Sequence, residues 1–73
     1  MSSRELVRLV ELSGGYFKRP GKGDHAIYER IVNGIKRAAP IQMGKRELRP
    51  EYSLQVFHQL GLTDDEINNV LEE

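Results

Sequence analysis

Apolar positions recur along this chain at two different spacings, and the spacing changes wherever glycine, proline or asparagine interrupts it. Leu6, Val7, Leu9 and Val10 fall at helical intervals with Arg4, Arg8 and Glu11 between them. Ser2-x-x-Glu5 stands in front as a capping box, and Gly14-Gly15 ends the helix by tolerating the left-handed stop conformation. Three strand-like runs follow: Tyr16 to Arg19, Asp24 to Ile31, and Ile35 to Ile41. The first two are separated by a loop, Pro20-Gly21-Lys22-Gly23. The last two are joined by Val32-Asn33-Gly34, where Asn-Gly is the strongest short hairpin signal because both residues accept positive φ. Pro40 argues for an edge strand or a strand end. Gln42 to Arg49 reads as a basic loop. Pro50 then suits the first turn of a helix carrying Tyr52, Val56, Phe57 and Leu60, which Gly61 ends. A second capping box, Thr63-x-x-Glu66, opens a short last helix with Ile67, Val70 and Leu71 on one face.

The order is helix, three-stranded meander, helix, short helix. Two helices on one side can cover the apolar face of such a sheet, so the expected fold is an α+β two-layer sandwich of α-β-β-β-α order with a short extra C-terminal helix. At 73 residues the chain suits one domain, residues 1–73, with a thin core. Hydrophobic residues at 38% and charged residues at 30% fit a folded soluble chain. No apolar run approaches the roughly 20 residues of a membrane-spanning helix, and Met1 to Glu5 leads into a charged amphipathic segment that does not read as a signal peptide. A cytoplasmic protein with no membrane association is expected. The absence of cysteine excludes disulfides, thiolate chemistry and Fe–S clusters.

Net charge is zero, but its distribution is not even. All eleven Lys and Arg lie between Arg4 and Arg49 against five acids, a surplus of +6, whereas residues 51–73 carry six acids and no base. A basic body is the electrostatic footprint of a phosphate-bearing partner. It is also what two halves neutralising each other within one domain would look like. In the first case the acidic residues 64–73 would fold over the basic body and limit access to it.

Chemistry-bearing residues are few. His25 and His58 do not have metal-ligand spacing with a carboxylate, so no metal and no cofactor is expected. His58 reads as a half-exposed helix residue. His25 opens a strand directly after Arg19-Pro20-Gly21-Lys22-Gly23, where glycines allow close backbone approach and Arg19 and Lys22 supply charge for a phosphate. A general base beside such cations is what RNA cleavage needs when the 2′-hydroxyl attacks its own phosphate. A lone histidine at a strand start also serves as a structural residue. On a regular strand His25 shares a face with Ile27 and Ile31, and Asp24 points to the opposite face. Lys45, Arg46 and Arg49 form a second basic cluster, either a solvated loop or a phosphate-positioning one. Tyr16, Phe17 and Tyr28 fall on strands, where aromatics can stack bases, although in so small a domain most are expected in the core.

In this order the motifs resemble those of HicA toxins, the small ribonucleases of HicAB toxin–antitoxin systems. Ser3-Arg4-Glu5-Leu6-Val7-Arg8-Leu9-Val10 is similar to that family's first helix, and Gly21-Lys22-Gly23-Asp24-His25-Ala26-Ile27-Tyr28 to its Lys-Gly-Ser-His-x-x-Tyr signature. Gly44-Lys45-Arg46-Glu47-Leu48-Arg49-Pro50 resembles its Gly-Lys-Glu-Leu-Lys stretch, and Gln59-Leu60-Gly61-Leu62-Thr63 its closing Ala-Gly-Leu-Thr. Asp24 and Ala26 depart from the usual Ser and second His, and Ser53-Leu54 from the usual Thr-Leu-Arg. The resemblance implies a fold like a double-stranded-RNA-binding domain and a metal-independent mRNA endoribonuclease. His25 would be its catalytic general acid/base, and a HicB-type antitoxin protein would mask it. The RNA-binding residues implied are Arg19, Gly21, Lys22, Gly23, Lys45 and Arg46. Two other functions remain open: a non-catalytic RNA-binding module of the same fold, and a protein-interaction domain working through the acidic C-terminal helix with Ile67, Val70 and Leu71.

Overall fold

The computed structural model describes residues 1–72. Its elements are α1 (Ser3–Leu12), β1 (Tyr16–Pro20), β2 (His25–Val32), β3 (Ile35–Gln42), α2 (Pro50–Gln59) and α3 (Asp64–Leu71). The strands form one antiparallel sheet in the order β1-β2-β3. Three antiparallel strands and three helices make this a small α+β protein, as the spacing predicts.

Local chemistry explains each boundary. At the start of α1 the Ser2 hydroxyl accepts the Glu5 N–H at 3.1 Å, while the Glu5 carboxylate turns to Arg8 (2.7 Å) in place of the return bond of a capping box. At α3 both halves of the box form: Glu66 N–H donates to Thr63 Oγ1 and Thr63 N–H to Glu66 Oε1. Helix α1 ends with Gly14 N–H donating to the Glu11 carbonyl and Gly15 N–H to that of Val10. Helix α2 ends likewise, Gly61 N–H to His58 and Leu62 N–H to Phe57. Both are Schellman closures, with Gly14 at φ 95° and Gly61 at φ 77°. Asn33 and Gly34, both at positive φ, make the two-residue turn that registers Val32 on Ile35. Pro40 lies on the edge strand β3.

Alternation along β2 sets the layers. Ala26, Tyr28, Arg30 and Val32 face the helices, and His25, Ile27, Glu29 and Ile31 face the open side. Ala26, Tyr28, Ala39 and Ile41 from the sheet close on Leu6, Leu9 and Val10 of α1 and Val56, Phe57 and Leu60 around α2. Ile67 of α3 joins this core at 3% exposure.

Arg30 ties the three helices together at one end of the sheet. Its side chain donates to the carbonyls of Ser13 (2.7 Å) and Leu60 (3.1 Å), the residues that end α1 and α2, and to Glu66 Oε2 in the first turn of α3 (2.9 Å). A cation at two helix C-termini and a carboxylate at a helix N-terminus both match the helix dipoles. Helices α1 and α2 therefore both end here, and both begin at the other end of the sheet, where β2 starts. There Ser3, 3% exposed, donates to the Gln42 carbonyl (2.6 Å) and accepts the Lys45 N–H (3.0 Å), and the Tyr52 hydroxyl accepts the Gln42 N–H (2.9 Å).

The expectation that most strand aromatics lie in the core does not hold. Only Tyr28 is buried (6%). Tyr16 and Phe17 are 39% and 53% exposed, because β1 is an edge strand with every residue exposed. Phe17 packs edge-on against Tyr28 at 5.9 Å. Of the acidic segment expected over the basic body, Glu66 pairs with Arg30, and Leu71, in the last turn of α3, lines a groove with Met1 and Pro50. The first turn of α3 sits beside Arg30, at the far end of the sheet from His25; Glu73 lies outside the described residues. Among the described residues no helix is long and apolar enough to cross a membrane.

Candidate functional site

His25 is the first residue of β2, and the turn before it decides where its ring goes. His25 N–H donates to the Lys22 carbonyl (3.0 Å) and Gly21 N–H to the His25 carbonyl (2.8 Å), closing a tight turn around Gly23 at φ 58°. That φ is why residue 23 is glycine; the space beside it is open for 4 Å. At Gly21 a Cβ would sit 3.1 Å from Ile27 Cδ1 and 3.2 Å from His25 Cβ, so packing as well as ligand approach favours glycine there.

The same turn orients the imidazole. Nδ1 lies 3.1 Å from the Lys22 carbonyl oxygen and 3.3 Å from Asp24 Oδ1. Both atoms accept, and a carbonyl oxygen can do nothing else. The neutral ring therefore carries its proton on Nδ1 and leaves the Nε2 lone pair available. With its side chain 37% exposed, His25 can meet a ligand. Asp24 does not point away as a regular strand would require. The strand begins one residue later than its sequence suggests, and Asp24 belongs to the turn, with its carboxylate beside the ring.

Pairing in the sheet brings the two basic segments to one end. His25 registers on Gln42, and Met43 N–H donates to the Asp24 carbonyl (2.9 Å), so the 21–25 turn and the 43–49 loop are neighbours. That loop is not free. Besides the Ser3 bonds, Leu48 N–H donates to the Met1 carbonyl (2.7 Å), and the Met1 ammonium pairs with Glu47 (2.8 Å). These ties span more than forty residues of sequence, and no local signal announces them. Lys45 and Arg46 consequently gather, exposed, around the N-terminus of α1 on the helix side of the sheet, where Arg4 joins them. Arg19 registers on Ile27 and so shares the open face with His25, while Lys22 stands at the tip of the turn. The candidate residues thus share one end of the molecule and divide between its two faces.

Elsewhere on the open face Glu29 is 5% exposed. It lies beneath Tyr16, whose hydroxyl donates to Oε1 at 2.5 Å, and Lys18, whose ammonium donates to Oε2 at 2.8 Å. The hydrogen bond from Lys18, then that from Tyr16, holds the Glu29 carboxyl below its ordinary range, and the same bond raises the Tyr16 phenol above its own. The triad binds the edge strand β1 to β2. His58, 55% exposed, stands 3.4 Å from Asp64 at the far end. Among the described residues no cluster of three or more His, Asp or Glu is placed to hold a metal ion.

Compared with protein-family models, with curated proteins and with solved structures, the chain finds no match.

Proposed function

We propose that this chain is an endoribonuclease toxin of the HicA-like kind that cleaves mRNA without a metal, with His25 as general acid/base and a HicB-type antitoxin protein as its partner. The observation that carries the reading is the ring of His25: Nδ1 anchored on the Lys22 carbonyl beside Asp24, with no protein partner on Nε2 among the described residues, in a side chain 37% exposed. Nε2 would take the proton of the RNA 2′-hydroxyl as that oxygen attacks the adjacent phosphorus. The P–O5′ bond breaks as the P–O2′ bond forms, and the departing 5′-oxygen takes a proton from solvent. Products are a 2′,3′-cyclic phosphate and a 5′-hydroxyl. The reaction calls for no protein nucleophile. Lys22, in the turn before the ring, and Arg19, on the same face as His25, would hold the phosphate, with Lys45 and Arg46 holding the strand further along. The element order also resembles that of a double-stranded-RNA-binding domain, which supports an RNA partner.

The test is cleavage of a purified mRNA in EDTA by wild type and by His25→Ala, both first shown folded by circular dichroism. The wild type should cut; the variant should bind RNA equally and not cut. Equal cutting by both sinks the role of His25.

A second reading is favoured by the division of the cations. Lys45, Arg46 and Arg4 lie on the helix side and His25 on the open face, as they would in a module that only binds RNA. Such a module shows no cleavage in either protein and an RNA affinity that falls steeply with salt.

A further inference from the structure

Between the N-terminus of α1 and the 43–46 loop runs an open groove of about 560 Å³, within the size range of small-molecule sites. Its walls are of two kinds. Arg4, Lys45 and Arg46 stand on the rim, all exposed and none with a carboxylate partner among the described residues. Val7 and Met43 line the apolar part, and both are partly buried and packed against the core.

Among the described residues Arg19, Lys22, Lys36, Arg37 and Arg49 also stand outside any ion pair with a carboxylate, so what sets this rim apart is that three such cations line one groove; three other Lys and Arg side chains are paired. Arg8 is satisfied by Glu5, Lys18 by Glu29 and Arg30 by Glu66. Three unpaired positive charges drawn to one groove repel one another, and an anion between them relieves that. The loop that carries two of them is held rigidly: Ser3 N–H donates to the Lys45 carbonyl (3.0 Å), and Ser3 Oγ accepts the Lys45 N–H (3.0 Å). The arrangement is therefore preorganised before any ligand arrives.

A simple phosphate would need the cations and not the apolar wall. A nucleoside phosphate uses both. We infer that this groove is a nucleotide subsite: Arg4, Lys45 and Arg46 bind a backbone phosphate of single-stranded RNA, and one base lies on Met43 and Val7. The thioether of Met43 makes a favourable contact with an aromatic ring, and stacking of this kind tolerates any base. The inference rests on the RNA partner proposed above, and it adds Arg4, Val7 and Met43 to the residues that touch it. Because the groove lies on the helix side and His25 on the open face, the subsite would hold a nucleotide away from the cleaved bond and set which phosphate reaches His25.

A short single-stranded RNA with 2′-O-methyl riboses separates this from cleavage, since it lacks the nucleophile. Binding is measured against salt for the wild type, for the triple variant Arg4→Gln, Lys45→Gln, Arg46→Gln, and for Met43→Ala. Loss of the one phosphate contact these cations make should lower the log–log salt slope by roughly 0.7 unit. Met43→Ala should weaken binding roughly two- to tenfold and leave the slope unchanged. In wild type, amide shifts on titration should centre on Ser3, Arg4, Gly44 and Lys45, a readout that does not depend on any variant folding. An unchanged slope and affinity in the triple variant, or shifts confined to residues 19–26, overturns the subsite. Unchanged affinity in folded Met43→Ala overturns the base seat. Because the 2′-O-methyl RNA cannot be cut, a failed cleavage assay leaves the subsite result readable by itself.

Discussion

Replacing Arg30 with methionine keeps most of the side-chain bulk and removes the charge that holds three helix ends. The Arg30 side chain is only 11% exposed, so water does not easily take its place. Two of its bonds reach the terminal carbonyls of α1 and α2, at 2.7 and 3.1 Å. Each is charge-assisted and worth roughly 1.5–3 kcal/mol. The third, to Glu66, contributes little to the count, because that carboxylate is 43% exposed and screened by solvent. Methionine recovers some packing through its apolar stem. The expected net loss is about 3 kcal/mol, against a total stability of roughly 4–11 kcal/mol for a domain of this length. At roughly 4–8 °C per kcal/mol, the melting temperature should fall by roughly 12–24 °C.

The assay is thermal unfolding at pH 7 followed by circular dichroism, with Glu66→Gln as companion. Glu66→Gln should lower the melting temperature by only a few degrees, since it leaves both carbonyl bonds intact. A drop of less than about 4 °C in Arg30→Met would refute the reasoning. It would mean that the Ser13 and Leu60 carbonyls find water without cost and that Arg30 is not what holds the ends together.

Other outcomes follow from the same geometry. The carboxyls of Glu66, held first by the Thr63 N–H and then by Arg30, of Glu29, held by Lys18 and Tyr16, and of Glu5, held by Arg8, all titrate below the usual 4.5. A depressed folded-state value gives stability that is full above the unfolded value and lost as pH falls through the folded one; melting temperature should therefore decline steeply below about pH 4.5, and less steeply in Glu66→Gln. The raised phenols of Tyr16 (by Glu29) and Tyr28 (by burial) act at the other end, with stability full below pH 10 and lost as pH rises past it. Gly15→Ala should destabilise by about 1–3 kcal/mol, because the new Cβ overlaps Val10 Cγ1 and lies 3.0 Å from the Val10 carbonyl oxygen; chemical denaturation measures it, and a neutral result contradicts the packing. Thr63→Ala removes the α3 capping box and should cost about 1 kcal/mol in the same assay.

Much of the fold is legible in the sequence because its punctuation is local. Gly14-Gly15, Asn33-Gly34, Pro50 and Thr63-x-x-Glu66 each act within four residues, and each places an element end within a residue or two of where the chain turns. What is not legible depends on distant partners. Arg30 lies in an apolar stretch of β2 and looks like an outward-facing charge. Its partners are 17, 30 and 36 residues away, and only the folded arrangement brings them together. Ser3 looks like part of a helix start, yet it pins a loop 39–42 residues on.

The site shows both behaviours at once. His25 stands out by its neighbours, since glycine and cations surround it in sequence. The role of Asp24 hinges on a strand start displaced by one residue, and in a structure of period two a single residue exchanges one face for the other. That displacement turns a carboxylate expected on the far face into one 3.3 Å from Nδ1. Arg4 carries the same lesson for the groove. Arg4 lies 18 residues before Lys22 and 41 before Lys45, so nothing local joins it to either basic cluster. The Ser3 bonds to the 43–49 loop do so, and a charge that reads as the polar face of a helix becomes one wall of a shared groove. Sequence reasoning finds chemistry that is contiguous; the fold adds the chemistry that is assembled, and here the assembled part is the helix-side groove.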